Sequence, residues 1–288
     1  MSMKSFHSRS QRTAPPRTRE RAAPARPAGM QRADALLVAQ RLVGSRARAR
    51  ELIAAGLVDS EAGPVTKPGQ MLPESLRLRV LDDSALRYVS RGGLKLAAAL
   101  AHSGVDVRGR ICLDVGQSTG GFTDCLLQAG AAKVVGVEVG HGQLHPRLAA
   151  DPRCITLEGI NARHLDAADL GAQLPSEGFG LIVCDASFIS LSLLMPQWPA
   201  LLAADGDVLA LVKPQFELGP AQLARGGVVR DAALHAAVEE RIRAAVDRAG
   251  LAVCGWFDSP ITGGGVGNIE GNREFLVWMR HAGTHARG

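Results

Sequence analysis

Leu113-Asp114-Val115-Gly116-Gln117-Ser118-Thr119-Gly120-Gly121-Phe122 decides the fold. An apolar run ends in a carboxylate, and glycines then let the backbone turn tightly and approach a ligand. A helix is expected to follow, which is how a nucleotide-type site opens in a parallel α/β sheet. The dinucleotide spacing G-x-G-x-x-G is absent, because position 118 is Ser. A phosphate loop ending in Gly-Lys-Ser/Thr is absent too. A carboxylate facing the turn suits an amine-bearing or cationic ligand better than a pyrophosphate. Glu138 ends the next apolar run, 24 residues after Asp114, where an acid can accept both hydroxyls of a ribose. Together these two acids fit S-adenosylmethionine. The alternative is a purely structural strand–turn–helix.

Strand-like runs continue outward from this point. Ile111–Val115, Val134–Val139, Ile155–Glu158, Leu181–Asp185 and Val208–Val212 alternate with helical segments, which predicts a doubly wound, mostly parallel sheet. Ala252–Phe257 and Phe275–Met279, joined by the glycine-rich stretch 263–271, are expected to add an antiparallel edge hairpin. That makes a seven-stranded, Rossmann-like α/β domain. Two helices are clearly marked, Gly93–Ser103 and Ala232–Ala249. The second has Asp231 as N-cap, Gly250 as its stop, and Leu234, Val238, Ile242 and Ala245 on one stripe. In open parallel sheets ligands bind beyond the carboxyl ends of the strands. Polar groups stand at those ends here: Asp185 after the fourth strand, Lys213 after the fifth, and Asn161 and Arg163 after the third. Any one of them could be an ordinary surface charge. The glycine-rich stretch reads equally as a mobile loop or a flexible linker.

The front of the chain is different. Residues 1–60 carry 12 Lys and Arg against 4 Asp and Glu, a balance of +8. The other 228 carry 21 against 24, a balance of −3. Such asymmetry points to a polyanion-binding front end. Residues 1–29 hold six arginines and four prolines, with almost nothing to bury, and read as a disordered basic tail. They suit an RNA-contacting arm; a transit peptide or a plain solvated tail are the other readings. From residue 30 the pattern predicts helix Arg32–Val43, a stop at Gly44, and helix Arg46–Ala55 capped by Ser45 and closed by Gly56. Short strand pieces follow at Leu57-Val58, Pro64–Thr66 and Leu76–Leu81, giving a small α+β domain over 30–82 and a linker at 83–90. Arg46 and Arg50 share a helix face, with Arg48 nearby.

Composition excludes several classes. At 46% hydrophobic and 21% charged the chain is an ordinary folded one, with no run of 18 apolar residues to span a membrane. Five scattered cysteines form no C-x-x-C pair, so neither a zinc clip nor a redox dithiol is signalled, and no metal is expected. Reduced thiols in a cytoplasmic protein are the plain reading.

At this point Ser90-Arg-Gly-Gly-Leu-Lys95, Asp114-Val-Gly-Gln-Ser-Thr-Gly-Gly-Phe122, Asp185-Ala-Ser-Phe-Ile-Ser-Leu191 and Val212-Lys-Pro-Gln-Phe-Glu217 resemble the TlyA-type methyltransferases. The resemblance runs from about residue 30 to 280. It implies an RNA-binding module of the ribosomal-protein S-four kind joined, from residue 91 on, to an FtsJ-like domain that uses S-adenosylmethionine. It implies methylation of ribose 2′-hydroxyls, at cytidines in ribosomal RNA of the large subunit and of the small one as well. The partners implied are ribosomal RNA and ribosomal subunits, not a membrane. By motif, the FtsJ-like Lys–Asp–Lys–Glu set falls on Lys95, Asp185, Lys213 and Glu274, the last from Asn272-Arg-Glu-Phe275. The cofactor would meet Asp114, Gly116, Ser118, Gly120, Gly121, Phe122, Glu138, Asn161 and Asp185. RNA would meet Arg32, Arg46, Arg48, Arg50 and Arg91. Gln117 departs from the small residue usual in the family, and Glu138 from the usual Asp. Gly159-Ile160 stands before Asn161-Ala162-Arg163 where polar residues are common.

Lys213, next to a second cation (Lys95) and apolar walls, is the candidate for activating the hydroxyl, as base or as stabiliser of the alkoxide. Lys95 could instead contact a backbone phosphate. Two other functions stay open from the residues alone: an inactive RNA-binding assembly factor, and the membrane-active haemolysin that some TlyA-like names denote. No spanning helix or strongly amphipathic basic helix outside the RNA module supports the latter.

Overall fold

The computed structural model describes residues 29–54, 56–81, 87–224, 227–263 and 271–283. The basic tail up to residue 28, the first half of the expected linker (83–86) and the core of the glycine-rich stretch, 264–270, lie outside the described residues.

The larger part is a seven-stranded sheet. Its strands are β5 (Ile111–Val115), β6 (Lys133–Glu138), β7 (Cys154–Glu158), β8 (Phe179–Cys184), β9 (Leu202–Val212), β10 (Leu251–Asp258) and β11 (Phe275–His281). They lie in the order β10-β11-β9-β8-β5-β6-β7. Strands β7, β6, β5, β8 and β9 pair in parallel, and β11 runs antiparallel to both its neighbours. The antiparallel hairpin expected at the edge of the sheet is present, with the later strand, β11, on its inner side. β11 lies between β9 and β10, so β10 is the outer strand of the hairpin and β7 is the edge at the far side of the sheet. The reason is in the side chains: β11 is apolar and buried along most of its length, whereas β10 is half-exposed. Burial of the richer strand decides the order.

Both faces of the sheet are covered, so successive residues of a strand enter different cores. Leu113, Val115, Ile182 and Cys184 join one core with Trp198 and helix α8 (Ala232–Arg248). Cys112, Val134, Leu181 and Val183 join the other, with helices α3 (Gly92–Ser103) and α4 (Gly121–Gln128). Asp231 caps α8 by accepting from the Ala233 amide at 2.8 Å, as its position predicts. Four of the five cysteines are buried and Cys254 is exposed; all are free thiols.

The front part has its own core of Leu36, Leu37, Leu52, Ile53, Val58 and Leu78. Helices α1 (Ala33–Ala39) and α2 (Arg46–Ala54) pack together. Two short antiparallel pairs flank them: β1 (Met30–Arg32) with β3 (Met71–Pro73), and β2 (Val58–Ser60) with β4 (Leu78–Val80). Helix α1 is shorter than its apolar periodicity suggests. Arg32 belongs to β1, and Arg41 takes φ +58, which ends the helix early. The piece Pro64–Thr66 is not a strand, although the Val65 amide bonds to the Val58 carbonyl. β1 and β3 were not foreseen, because three residues carry no measurable period. Ser45 does cap α2, accepting from the Arg48 amide at 3.2 Å.

Candidate active site

Parallel strands bring their carboxyl ends to one edge of the sheet. The order β6-β5-β8-β9 therefore sets Glu138, the glycine turn, Asp185 and Lys213 side by side. The antiparallel β11 contributes its opposite end. Phe275 pairs with Val212, which places Glu274 beside Lys213. The first turn of α3 adds Lys95. Lys95 Nζ meets Glu274 Oε2 at 2.5 Å, and both side chains are nearly out of water, 10% and 2% exposed. Lys213 Nζ meets Asp185 Oδ1 at 2.7 Å, donates to Ser187 Oγ at 2.7 Å and reaches the Asp185 carbonyl at 3.4 Å. The four residues of the expected Lys–Asp–Lys–Glu set thus form two ion pairs. Each lysine has its own carboxylate, rather than facing a bare second cation. Burial pushes the Glu274 carboxyl above its ordinary range, with Lys95 and Lys213 opposing the rise.

The glycine turn is shaped by sterics. Gly116 takes φ +79, and a Cβ there would stand 3.0 Å from the Ala186 Cα. A Cβ on Gly121 would stand 2.1 Å from Ser90 Oγ, so the segment leading into α3 packs directly on the turn. Ser118 takes φ +48, a costly conformation for a residue with a side chain. Its amide donates to Glu138 Oε2 at 2.9 Å, and the Gly140 amide donates to Oε1 at 2.9 Å. Glu138 is thereby fixed, with a lone pair left on each oxygen. Asp114 Oδ2 accepts from the Thr123 amide at 3.0 Å and from Thr123 Oγ1 at 2.6 Å, at the start of α4. Its Oδ1 is buried and unpartnered. Burial pushes the Asp114 carboxyl up to about 7; the Thr123 bonds pull it down and the Asp185 charge adds to the rise.

Two adjoining cavities follow this edge. One, about 490 Å³, is lined by Glu138, Val139, Ile160, Asn161, Phe188 and Ile189, among others. The other, about 160 Å³, is lined by Ser90, Gly92, Asp114, Gly121, Phe122 and Lys213, among others. Gly116, Ser118, Asp185 and Ser187 border both. The expected cofactor residues thus gather here, with one exception. Gly120 lies outside both cavities, its open side filled by Leu144 and Leu148. Asn161 Oδ1 accepts from the Arg163 amide and so holds the turn that follows β7. The unusual Gln117 turns inward: its amide donates to Thr123 Oγ1 at 2.9 Å and the side chain lies against Gly136. The departure from the family pattern is absorbed by the core.

A methyltransferase family model, FtsJ-like methyltransferase, matches residues 88–281. The chain belongs to the FtsJ-like methyltransferase family. Its similarity extends to the TlyA type. TlyA of Mycobacterium tuberculosis, a 16S/23S rRNA (cytidine-2'-O)-methyltransferase, is 42% identical over 86% of this chain and 89% of its own. Hemolysin A of Brachyspira hyodysenteriae is 36% identical over 81% of this chain and 94% of its own. A solved structure from Streptococcus thermophilus, hemolysin by name, has 40% identity and a TM-score of 0.67, covering 88% of this chain and 90% of that one. The chain is accordingly an enzyme of methyl transfer with the Rossmann-like methyltransferase fold. Among the described residues no helix is long and apolar enough to cross a membrane.

The residues at the strand ends fit S-adenosylmethionine. Glu138 offers free acceptor capacity for a ribose, apolar Val139, Ile160 and Ile189 suit a base, and the unpartnered Asp114 Oδ1 suits an ammonium group.

The front arginines are less free than their spacing suggests. Asp34, fully buried, accepts from Arg32 at 3.0 Å, Arg46 at 2.9 Å and Arg50 at 3.3 Å. Burial works to raise the Asp34 carboxyl, but the three guanidinium bonds outweigh it and hold it well below the usual carboxylate range. The three arginines stay partly exposed around one anion, a rake of net charge +2. Arg48 is different: it is buried and pairs with Glu51 at 2.7 Å. Arg91 stands half-buried just before α3. Sequence reasoning missed Asp34, Thr123, Ser187 and Phe188. Phe188 carried a signal, an aromatic directly after a strand-end carboxylate. It is 91% exposed at the cavity rim, with φ +63.

Proposed function

We propose that this protein methylates the ribose 2′-hydroxyl of cytidine in ribosomal RNA, of the large subunit and of the small one, as a cytoplasmic enzyme using S-adenosylmethionine. The observation that carries this is Lys213, in the wall of the smaller cavity and held by Asp185 and Ser187, beside the buried Lys95–Glu274 pair. The cofactor, when bound, supplies an electrophilic methyl group. Glu138, Asn161, Gly116 and Ser118 would hold its nucleoside part, and Asp114, Gly121 and Asp185 its amino-acid end. The protein's own work is to seat the ribose hydroxyl in line with that group. Positioning of this kind lowers a barrier by about 7–11 kcal/mol.

Lys213 Nζ already donates toward three oxygen acceptors. That arrangement suits stabilising negative charge on the hydroxyl oxygen as the methyl group is received, with the hydroxyl proton released to solvent water. Lys95 and Glu274 add a second fixed dipole in a site nearly free of water, where it needs no reorganisation. Phe188 presents an open ring on which a base next to the target can stack. The front unit over 30–82 is an RNA-binding module of the S-four kind, joined by the linker 83–90 to the transferase domain. Its Arg32, Arg46 and Arg50, with Arg91, supply phosphate contacts.

Labelled S-adenosylmethionine, incubated with separate ribosomal subunits and with protein-free RNA, tests this directly. Label on a cytidine ribose, lost in Lys213→Ala, is the expected result. No label on any RNA while the cofactor still binds overturns the activity and leaves an RNA-binding assembly role.

A further inference from the structure

Glu217 is a buried carboxylate that the transfer does not use directly. It closes helix α7 (Pro214–Glu217), four residues after Lys213. Its Oε2 accepts from Ser190 Oγ at 2.5 Å and its Oε1 from the Leu191 amide at 2.7 Å. Ser190 and Leu191 end the loop that begins at Asp185. Lys213 grips the start of that loop, through the Asp185 carboxylate and carbonyl and through Ser187 Oγ. Between these points the Phe216 ring lies 5.3 Å from the Phe188 ring. One five-residue segment therefore holds the whole Asp185–Leu191 loop, at both ends and in the middle.

The middle requires it. Phe188 takes a left-handed backbone conformation that a bulky residue keeps only where its surroundings over-determine it. Its ring is almost wholly in solvent, so burial supplies little of that constraint. Hydrogen bonds at the loop ends do supply it. A carboxylate suits the task because it accepts from a hydroxyl and an amide at once.

We propose that Glu217 is a positioning residue for methyl transfer: it fixes the Asp185–Leu191 loop, so that Ser187 stays on Lys213 and Phe188 stays at the rim. This rests on the activity proposed above. Glu217 acts through the loop and touches neither substrate.

The test uses full-length Glu217→Ala, Glu217→Gln and Ser190→Ala, each scored for kcat per folded site, KM for RNA, cofactor affinity and melting temperature. Misplacing a reacting group by about 1 Å can cost about 10²-fold. Glu217→Ala is expected to lose about that much in kcat, with a smaller change in KM for RNA. Gln can accept from Leu191 and donate to Ser190 Oγ, so Glu217→Gln should return to within about threefold of wild type. Ser190→Ala, which loses one contact, should fall between them. Combining Glu217→Ala with Ser187→Ala should be no worse than the poorer single variant, because both act on one contact. Wild-type kcat per folded site in Glu217→Ala overturns the inference. So does a Gln variant as damaged as the Ala variant at equal folded fraction. Should Glu217→Ala fail to fold, unchanged kcat in Ser190→Ala overturns it instead. A wild-type protein that labels no RNA takes down the activity and this inference together; labelling at equal rates per folded site by wild type and Glu217→Ala takes down the inference alone.

Discussion

Removing Lys95 alone should cost more stability than removing Lys95 and Glu274 together. The two groups meet at 2.5 Å with almost no water around them. Breaking a buried pair from one side leaves the other charge unsupported, at about 3–5 kcal/mol. Lys95→Met therefore lowers Tm by roughly 6–12 °C for 3 kcal/mol, at about 2–4 °C per kcal/mol for a domain of this size. The loss depends on pH in a defined direction. Burial already raises the Glu274 carboxyl, and without Lys95 the opposing attraction weakens. The folded variant then holds a proton that the unfolded chain releases above about pH 4.3. Stability of the variant falls as pH rises from there to the raised folded value. The gap from wild type should be small near pH 5 and widest at pH 8. Replacing both partners, as Lys95→Met with Glu274→Met, leaves an apolar contact of similar volume, which is often neutral. The double variant should recover most of the lost Tm and still transfer no methyl. Calorimetric melts across that pH range, with the labelling assay in parallel, measure both. A double variant as unstable as the single one would refute the coupling, and one that still methylates RNA would refute the pair's part in transfer.

Other expectations follow from the same geometry. Lys213→Ala should abolish transfer and leave cofactor binding by calorimetry within about twofold, since Lys213 meets the loop and not the nucleoside walls; loss of both would make the lysine structural. Asp114, with its carboxyl pushed up to about 7, must ionise to meet a cationic ammonium group. Cofactor affinity should thus weaken as pH drops below about 7, approaching tenfold per pH unit, and Asp114→Asn should bind weakly at every pH; a flat wild-type profile would sink this. In the front unit, Arg46→Gln with Arg50→Gln should weaken RNA binding across sequences and lower the salt slope by about one per lost phosphate contact, as filter binding would register. Asp34→Ala should instead lower the melting temperature, because three guanidinium groups lose their common buried acceptor.

Local chemistry determined much of this protein. A strand with Asp114 next to its end, the glycines after it, and acids or a lysine at later strand ends are features of short range. They set backbone freedom and alternation, so both the parallel sheet and the edge where the site lies could be read from the chain alone. The caps at Ser45 and Asp231 were legible for the same reason, since a cap involves only residues two or three apart. Tertiary structure decided the rest. Lys95 and Glu274 are 179 residues apart, and no local pattern pairs them. They meet because β11 slips between β9 and β10 in the register that sets Phe275 on Val212. Asp34, which no local pattern singled out, gathers three arginines. Gln117 looked like a misfit at the cofactor and turned into the core. Glu217 looked like the tail of a motif and became the far end of a clamp. For Lys95 with Glu274 and for Glu217 the deciding quantity is a contact of about 3 Å or less between segments distant in sequence. Burial and strand register fix such a contact, and neither is a property of any single stretch of chain.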